Sequence, residues 1–192
     1  MPDQIECGTF MIAAAATRGD VLIKNCIPEH MDSLTAKLLE MGATVKSEND
    51  TIRVSCKKRL KSTNINTLPH PGFPTDLQSP MGVLLAIADG TGIINESVWE
   101  SRFQYTDELN KLGANISVSN RTAVFTGVDQ LYGAPIYASD LRAGAALIIA
   151  ALVAKGYSEL YNIQYIDRGY ERIEEKFKAL GAKIERIKEE EN

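Results

Sequence analysis

Three short segments of this sequence decide its fold: LEMGATV at 39–45, NKLGANI at 110–116 and KALGAKI at 178–184. They recur at intervals of roughly 70 residues, which indicates an internal structural repeat. Apolar residues lie one, four and eight positions before each glycine, a spacing that puts them on one face of a helix. Glycine lacks a Cβ and readily ends helices in the left-handed conformation. Each segment therefore predicts an amphipathic helix, a glycine stop and a strand.

A second, almost wholly apolar helix is predicted ahead of each amphipathic one. The ranges 8–17, 80–88 and 141–154 are rich in Ala, Ile, Leu, Val and Met and carry few charges. A helix that is apolar around most of its circumference has to be buried on most sides. A turn and a strand are expected after each of these helices, with the strands at 21–23, 93–94 and 160–161.

The repeats predict the fold class. Repeats one and two each end in a predicted hairpin, with turns at 48–50 and 119–120, whereas repeat three stops after a single strand at 184–187. The unit is roughly βαβαββ, and three copies predict an α/β domain with pseudo-threefold symmetry, its apolar helices inside and its sheets outside. We expect a single domain over 5–187, with repeats at about 5–56, 72–128 and 135–187, and a charged tail at 188–192.

Composition excludes several classes of function. The 192 residues are 44% hydrophobic and 24% charged, which is ordinary for a globular domain. The net charge of −4 gives no general field for attracting nucleic acid or an anionic membrane, and no apolar run is long enough to span a membrane. Three cysteines without CxxC spacing and two isolated histidines predict neither a metal site nor a bound cofactor. We therefore expect a cytoplasmic protein without nucleic-acid or membrane partners.

Polar residues recur at the predicted helix starts. Asp76 and Asp140 both lie where a helix N-cap would be, and capping is the favoured interpretation on physical grounds alone. Arg142 follows Asp140 at the same helix start, where a cation does not suit the helix dipole. That mismatch indicates an anionic ligand or an Arg–Asp pair. The other polar residues at equivalent starts are Glu6, His30, Arg102 and Arg168.

Four motifs resemble those of the UDP-N-acetylglucosamine enolpyruvyl (1-carboxyvinyl) transferases: GFPTDLQ at 72–78, ESRF at 100–103, SDLRA at 139–143 and DRGYERIE at 167–174. The resemblance covers 5–187. It implies a two-domain enzyme of about twice this length, with three βαβαββ units in each domain, of which this chain is the carboxy-terminal domain. The catalytic-cysteine loop would belong to the other domain. We therefore expect half of the enzyme, either a truncated chain or a natural half, that is inactive alone and whose partner is the missing amino-terminal domain.

The resemblance also implies the reaction and its residues. Such enzymes transfer enolpyruvyl from phosphoenolpyruvate to the 3-hydroxyl of UDP-N-acetylglucosamine, the first committed step of peptidoglycan synthesis, and so serve cell wall biogenesis, cell shape and cell division. Asp76 matches the residue that binds the sugar and acts as the general base. A base is required because a sugar hydroxyl has to lose its proton in order to react. Arg102, Arg142 and Arg168 match the arginines of the anion site, with Arg168 also catalytic.

Two further residues take their expected roles from the same resemblance. Asp140 matches a catalytic partner that orients Arg142 or helps in proton transfer, and Val98 matches a contact to the uracil or ribose made partly through its backbone. These motifs fall at the helix starts of repeats two and three. We therefore expect the cleft on that side of the domain, with its other wall supplied by the missing half.

Two alternatives remain open at this point. One is a nucleic-acid-binding module like the RNA 3′-terminal phosphate cyclases, which use a similar repeat; the net charge of −4 and the 7% aromatic content argue against it. The other is a stand-alone interaction domain, which the intact motifs disfavour.

Overall fold

The computed structural model describes residues 2–187. Among them the α-helices are α1 (Gln4–Ala16), α2 (Asp32–Met41), α3 (Gln78–Ile87), α4 (Tyr105–Lys111), α5 (Leu141–Val153) and α6 (Ile173–Ala179). The strands are β1 (Asp20–Lys24), β2 (Thr44–Glu48), β3 (Thr51–Ser55), β4 (Ile65–Asn66), β5 (Thr91–Asn95), β6 (Asn115–Ser119), β7 (Thr122–Thr126), β8 (Pro135–Tyr137) and β9 (Glu159–Tyr161). Short 3₁₀ helices lie at Pro28–Met31, Thr75–Leu77 and Ile163–Arg168.

The apolar helices α1, α3 and α5 contact one another at the centre of the fold, as the sequence predicts. Met11, Val83 and Leu147, one from each helix, are completely buried. The last turns of all three helices border one cavity of about 310 Å³, so these helices end close together. Their starts also lie close together, since α1 contacts the 3₁₀ helix that precedes α3, and Arg142 of α5 donates to Asp76 in that 3₁₀ helix.

Three sheets lie outside this helical centre. Repeat one forms the sheet β1-β3-β2, repeat two the sheet β4-β5-β7-β6 and repeat three the parallel pair β8-β9. Both predicted hairpins are present, in β2–β3 and β6–β7. Within the described residues, the complete βαβαββ unit occurs in repeat two alone. Its first strand, β4, lies before the start predicted for that repeat at about 72, because a strand of two residues gives no recognisable sequence pattern.

The strand predicted at 184–187 is wrong. Residues 182–187 adopt no regular secondary structure, although Ala182 and Ile184 pack against the core. A strand requires a neighbour that supplies hydrogen bonds along its length. In the other repeats the second hairpin strand is that neighbour, and no described strand pairs with this segment. The predicted tail at 188–192 lies outside the described residues.

The glycine stops are confirmed. Gly42, Gly113 and Gly181 have φ of 103°, 91° and 97°, in the left-handed region that the missing Cβ makes accessible. The apolar faces ahead of them are buried, for example at Leu38 in α2 and Phe177 in α6. Phe177 packs on Phe10 with ring centroids 4.7 Å apart, which joins repeat three to repeat one.

The start of α1 differs from the prediction. The helix begins at Gln4, because Asp3 Oδ1 accepts hydrogen bonds from the N–H groups of Ile5 (2.7 Å) and Glu6 (3.2 Å). The sequence predicts a start at residue 8, because a pattern of apolar residues does not reveal a first turn made of polar residues. Glu6 lies in that first turn and pairs with Lys176 of α6.

Candidate active site at the helix starts

Asp76 lies between two arginines at the converging helix starts. Arg102 Nη1 donates to Asp76 Oδ1 at 2.8 Å, and Arg142 Nη2 donates to Asp76 Oδ2 at 3.2 Å. The exposed fractions of these side chains are 34% for Asp76, 26% for Arg102 and 19% for Arg142. The carboxylate therefore links repeats two and three, and all three groups remain reachable by a ligand. We call Asp76, Arg102 and Arg142 the Asp76 cluster.

The two aspartates that the sequence treats alike have different contacts. Asp140 is the N-cap of α5, since its Oδ1 accepts the N–H groups of Arg142 (2.8 Å) and Ala143 (2.9 Å). Asp76 instead belongs to the 3₁₀ helix Thr75–Leu77, and α3 begins two residues later without any side-chain cap. The capping interpretation is confirmed for Asp140 and wrong for Asp76.

Arg102 is supported from two directions. Its Nη1 also donates to Thr75 Oγ1 at 2.8 Å, and its guanidinium carbon lies 5.6 Å from the centroid of the Trp99 ring. Thr75 Oγ1 in turn donates to Glu96 Oε2 at 2.9 Å. Glu96 is 2% exposed, and sequence reasoning missed it because an isolated glutamate after a strand has no periodic signal.

Arg142 is supported by a neutral hydrogen-bonded chain. Its Nη1 donates to Tyr170 Oη at 3.5 Å, and Tyr170 Oη lies 2.8 Å from Thr9 Oγ1. Because the Thr9 hydroxyl donates to Ile5 O, Tyr170 is the donor to Thr9. Burial raises the pKa of Tyr170, which keeps this hydroxyl protonated as the chain requires. Sequence reasoning missed Thr9; Tyr170 lies within the quoted motif at 167–174 but was not singled out.

Two predicted site residues lie near this cluster without joining it. Val98 is 40% exposed, and its N–H donates to Glu96 Oε1 at 2.9 Å, so this backbone group is already engaged. Arg168 ends the 3₁₀ helix Ile163–Arg168 and is exposed, and its side chain makes no ion pair or hydrogen bond to another described residue. The next residue, Gly169, faces Leu141 so closely that an added Cβ would lie 2.8 Å from Leu141 Cδ2. Arg168 is therefore anchored beside the start of α5.

None of the helices described between residues 2 and 187 has the length and apolar character needed to cross a membrane. The same part of the chain contains no cluster of three or more His, Cys, Asp or Glu side chains arranged to hold a metal ion.

Comparison with known proteins identifies the family. The model of the EPSP synthase (3-phosphoshikimate 1-carboxyvinyltransferase) family matches residues 1–177. The chain belongs to this family. The predicted membership of the enolpyruvyl transferase family is confirmed.

Two relatives are especially similar to the chain. The UDP-N-acetylglucosamine 1-carboxyvinyltransferase 2 of Clostridium acetobutylicum is 56% identical over 188 residues, which cover 98% of this chain and 45% of that protein. The UDP-N-acetylglucosamine 1-carboxyvinyltransferase of Desulfofundulus thermocisternus is 52% identical over 184 residues, 96% of this chain and 76% of that protein. The chain thus spans about half the length of curated relatives such as the C. acetobutylicum protein.

A solved structure confirms the fold class. The enolpyruvyl transferase NikO from Streptomyces tendae superposes with a TM-score of 0.88 at 29% identity, covering 96% of this chain and 44% of that one. The α/β class predicted from the repeats, and the enolpyruvyl-transferase-like architecture implied by the motifs, are therefore correct for this member of the EPSP synthase family.

Proposed function

We propose that this chain is the carboxy-terminal half of a UDP-N-acetylglucosamine 1-carboxyvinyltransferase. The observation that carries the proposal is the Asp76 carboxylate held between Arg102 and Arg142 where the helix starts converge. Relatives 56% identical to the chain bear that enzyme's name. The reaction transfers enolpyruvyl from phosphoenolpyruvate to the sugar 3-hydroxyl and releases phosphate, with peptidoglycan synthesis in the cytoplasm as its setting.

The Asp76 cluster suits both tasks of this reaction. The phosphate and carboxylate of phosphoenolpyruvate match the planar fork of arginine, so they compete with Asp76 for Arg102 and Arg142. An anion that takes these donors frees an oxygen of Asp76. That oxygen then accepts the proton of the sugar hydroxyl as the hydroxyl oxygen bonds to the enolpyruvyl carbon, and the bond from this carbon to the phosphate oxygen breaks as phosphate leaves. Anion binding and activation of the base are thereby coupled at one carboxylate.

The remaining predicted residues take supporting roles in this proposal. Asp140 fixes the start of α5 through the N–H of Arg142, and so it orients that arginine through its backbone. Arg168, free of partners among the described residues, is available as a further cation for phosphate. Val98 offers its exposed side chain and its carbonyl, rather than its engaged N–H, to the nucleotide portion of the sugar substrate.

The proposal extends to the organisation of the whole protein. Residues 5–187 form one domain of three repeats, the second of which includes β4, and a second domain supplies the catalytic cysteine and the opposite wall of the cleft. No metal or cofactor takes part. The RNA-cyclase-like and stand-alone alternatives gain no support from the relatives described above, which are enolpyruvyl transferases.

Phosphate release tests the proposal. The full-length protein that contains this chain should release phosphate when both phosphoenolpyruvate and UDP-N-acetylglucosamine are present, and only then. The isolated 192-residue chain should release none. Turnover by the isolated chain, or no turnover by the full-length protein with both substrates, would contradict it.

A further inference from the structure

We propose that Glu96 is the positioning residue of Arg102, acting through the hydroxyl of Thr75 and the backbone of Trp99. The inference deepens the proposed function, on which its kinetic part rests. Glu96 touches no member of the Asp76 cluster in the described contacts, and it holds both groups that flank Arg102.

Glu96 is a buried carboxylate satisfied entirely by hydrogen bonds. Its Oε1 accepts from Thr67 Oγ1 at 2.7 Å and from the N–H groups of Val98 (2.9 Å) and Trp99 (3.1 Å), and its Oε2 accepts from Thr75 Oγ1 at 2.9 Å. Burying a charge is costly unless it is fully hydrogen-bonded, and four donors meet that requirement. So complete a set of donors indicates that the negative charge itself has a task.

The charge dictates which way the two threonine hydroxyls point. Thr67 Oγ1 accepts from the Ser97 N–H at 3.0 Å, and Thr75 Oγ1 accepts from Arg102 Nη1. N–H groups only donate, so each hydroxyl proton has to point at Glu96. Because the Thr75 proton faces the carboxylate, its oxygen lone pairs remain for the Arg102 guanidinium.

The second route runs through the turn that follows β5. Glu96 Oε1 binds two consecutive N–H groups, at Val98 and Trp99, and so fixes the backbone that carries the Trp99 ring. That ring lies beside the Arg102 guanidinium, and an aromatic face attracts a cation. Both routes end at the same side chain, which places the Arg102 donors for Asp76 and for an incoming anion.

Glu96→Gln separates the two routes. Two backbone N–H groups face Oε1, so the glutamine carbonyl oxygen has to occupy that place and its NH₂ the place of Oε2. The NH₂ group then donates to Thr75 Oγ1 and competes with Arg102 for the same lone pairs. The substitution therefore keeps the turn and reverses the Thr75 bond alone.

Arginine side-chain NMR on the 192-residue chain tests this geometry without any assumption about activity. In Glu96→Gln, we expect the Arg102 Nε–H signal to shift and rotation about its Nε–Cζ bond to accelerate. The matched control is Glu108→Gln on α4, because Glu108 Oε2 likewise accepts a backbone N–H, that of Tyr137 at 3.0 Å. The control should leave the Arg102 signal in place, and an unchanged Arg102 signal in Glu96→Gln overturns the proposal.

Kinetics of the full-length protein supply the second readout. Glu96→Gln should raise KM for phosphoenolpyruvate about tenfold, because one charge-assisted contact of Arg102 is weakened, with an unchanged unfolding midpoint. Combined with Thr75→Val, Glu96→Gln should raise KM no further than Thr75→Val alone, because valine already lacks the hydroxyl through which Glu96 acts. A lowered midpoint with normal KM, or additive effects in the double variant, overturns the proposal.

The two proposals fail in distinguishable ways. If the full-length protein releases no phosphate, the proposed function fails, whereas the NMR result still decides the role of Glu96. If Glu96→Gln does not fold, Thr75→Ser and Thr75→Val take its place. Serine keeps a hydroxyl that donates to Glu96 and should preserve the Arg102 signal, and valine should shift it. Equal signals in these two variants overturn the proposal.

Discussion

The starts of α3 and α5 carry the same residue type at the same place in the repeat and use it differently. Asp140 directly precedes α5 and caps it through two backbone N–H groups. Asp76 precedes α3 by two residues, within the 3₁₀ helix Thr75–Leu77, and its two oxygens face Arg102 and Arg142. A shift of one residue in the helix start therefore turns a structural carboxylate into one available for chemistry.

The two arginines of the Asp76 cluster are also held by different kinds of side chain. Arg102 depends on the buried charge of Glu96, through Thr75 and Trp99. Arg142 depends on neutral hydroxyls, those of Tyr170 and Thr9. The Asp76 cluster is thus asymmetric, which suits a substrate whose two anionic groups differ in charge and geometry.

The largest expected effect separates the two aspartates by activity. In the full-length protein, Asp76→Ala should lower turnover about a hundredfold or more, as expected for loss of a general base. Asp140→Ala, the matched variant at the other helix start, should lower turnover much less. Steady-state phosphate release measures both. Similar losses in the two variants would remove the functional distinction between the aspartates.

Two packing substitutions test the close contacts that α3 and α5 both make through a glycine. An added Cβ at Gly82 would lie 2.4 Å from Tyr105 Oη, and one at Gly144 would lie 2.4 Å from Ile166 Cγ1. We expect Gly82→Ala and Gly144→Ala each to lower the free energy of unfolding by about 1–3 kcal/mol, since the clash outweighs the better helix propensity of alanine. Denaturant unfolding measures this. A gain in stability in either variant would show that the neighbouring side chain can move aside without cost.

Loss of the cap should have a smaller effect. Asp140→Ala removes the acceptor for two N–H groups at the start of α5 and should cost about 1 kcal/mol, or about 2–4 °C in Tm for a chain of this size. Thermal unfolding of the 192-residue chain provides the measurement. No change in Tm would contradict the assignment of Asp140 as a cap.

The smallest effect is expected for Asp140→Asn. Asparagine caps about as well as aspartate, so the free energy of unfolding should change by only a few tenths of a kcal/mol. Turnover of the full-length protein should stay near that of the unmodified protein if Asp140 acts through the backbone of Arg142. A large loss of turnover with an unchanged Tm would instead assign a direct proton-transfer role to Asp140.

Local features were predicted from the sequence, whereas features that depend on distant neighbours were not. The stops at Gly42, Gly113 and Gly181 follow from backbone sterics within one turn, and the burial of α1, α3 and α5 follows from composition. The strand predicted at 184–187 failed because pairing requires a neighbour that no local pattern reports.

The same distinction between local and long-range features applies to the candidate site. The family motifs pointed to Asp76, Arg102 and Arg142, but their mutual contacts join residues far apart in the chain, and only the folded structure shows them. Glu96 was missed because its hydroxyl donors, Thr67 and Thr75, lie far from it in the sequence, and Thr9 was missed because its partner Tyr170 does too. A buried carboxylate becomes recognisable only when its donors are known.

The most direct test of the account is the isosteric variant Asp76→Asn in the full-length protein, with phosphate release measured per folded molecule alongside Tm. Asparagine keeps the size of the side chain and removes its charge and basicity. Because Asp76 does not cap α3, the account predicts a loss of turnover of about a hundredfold or more with little change in Tm. Normal turnover per folded molecule together with a lowered Tm would show that Asp76 serves structure alone.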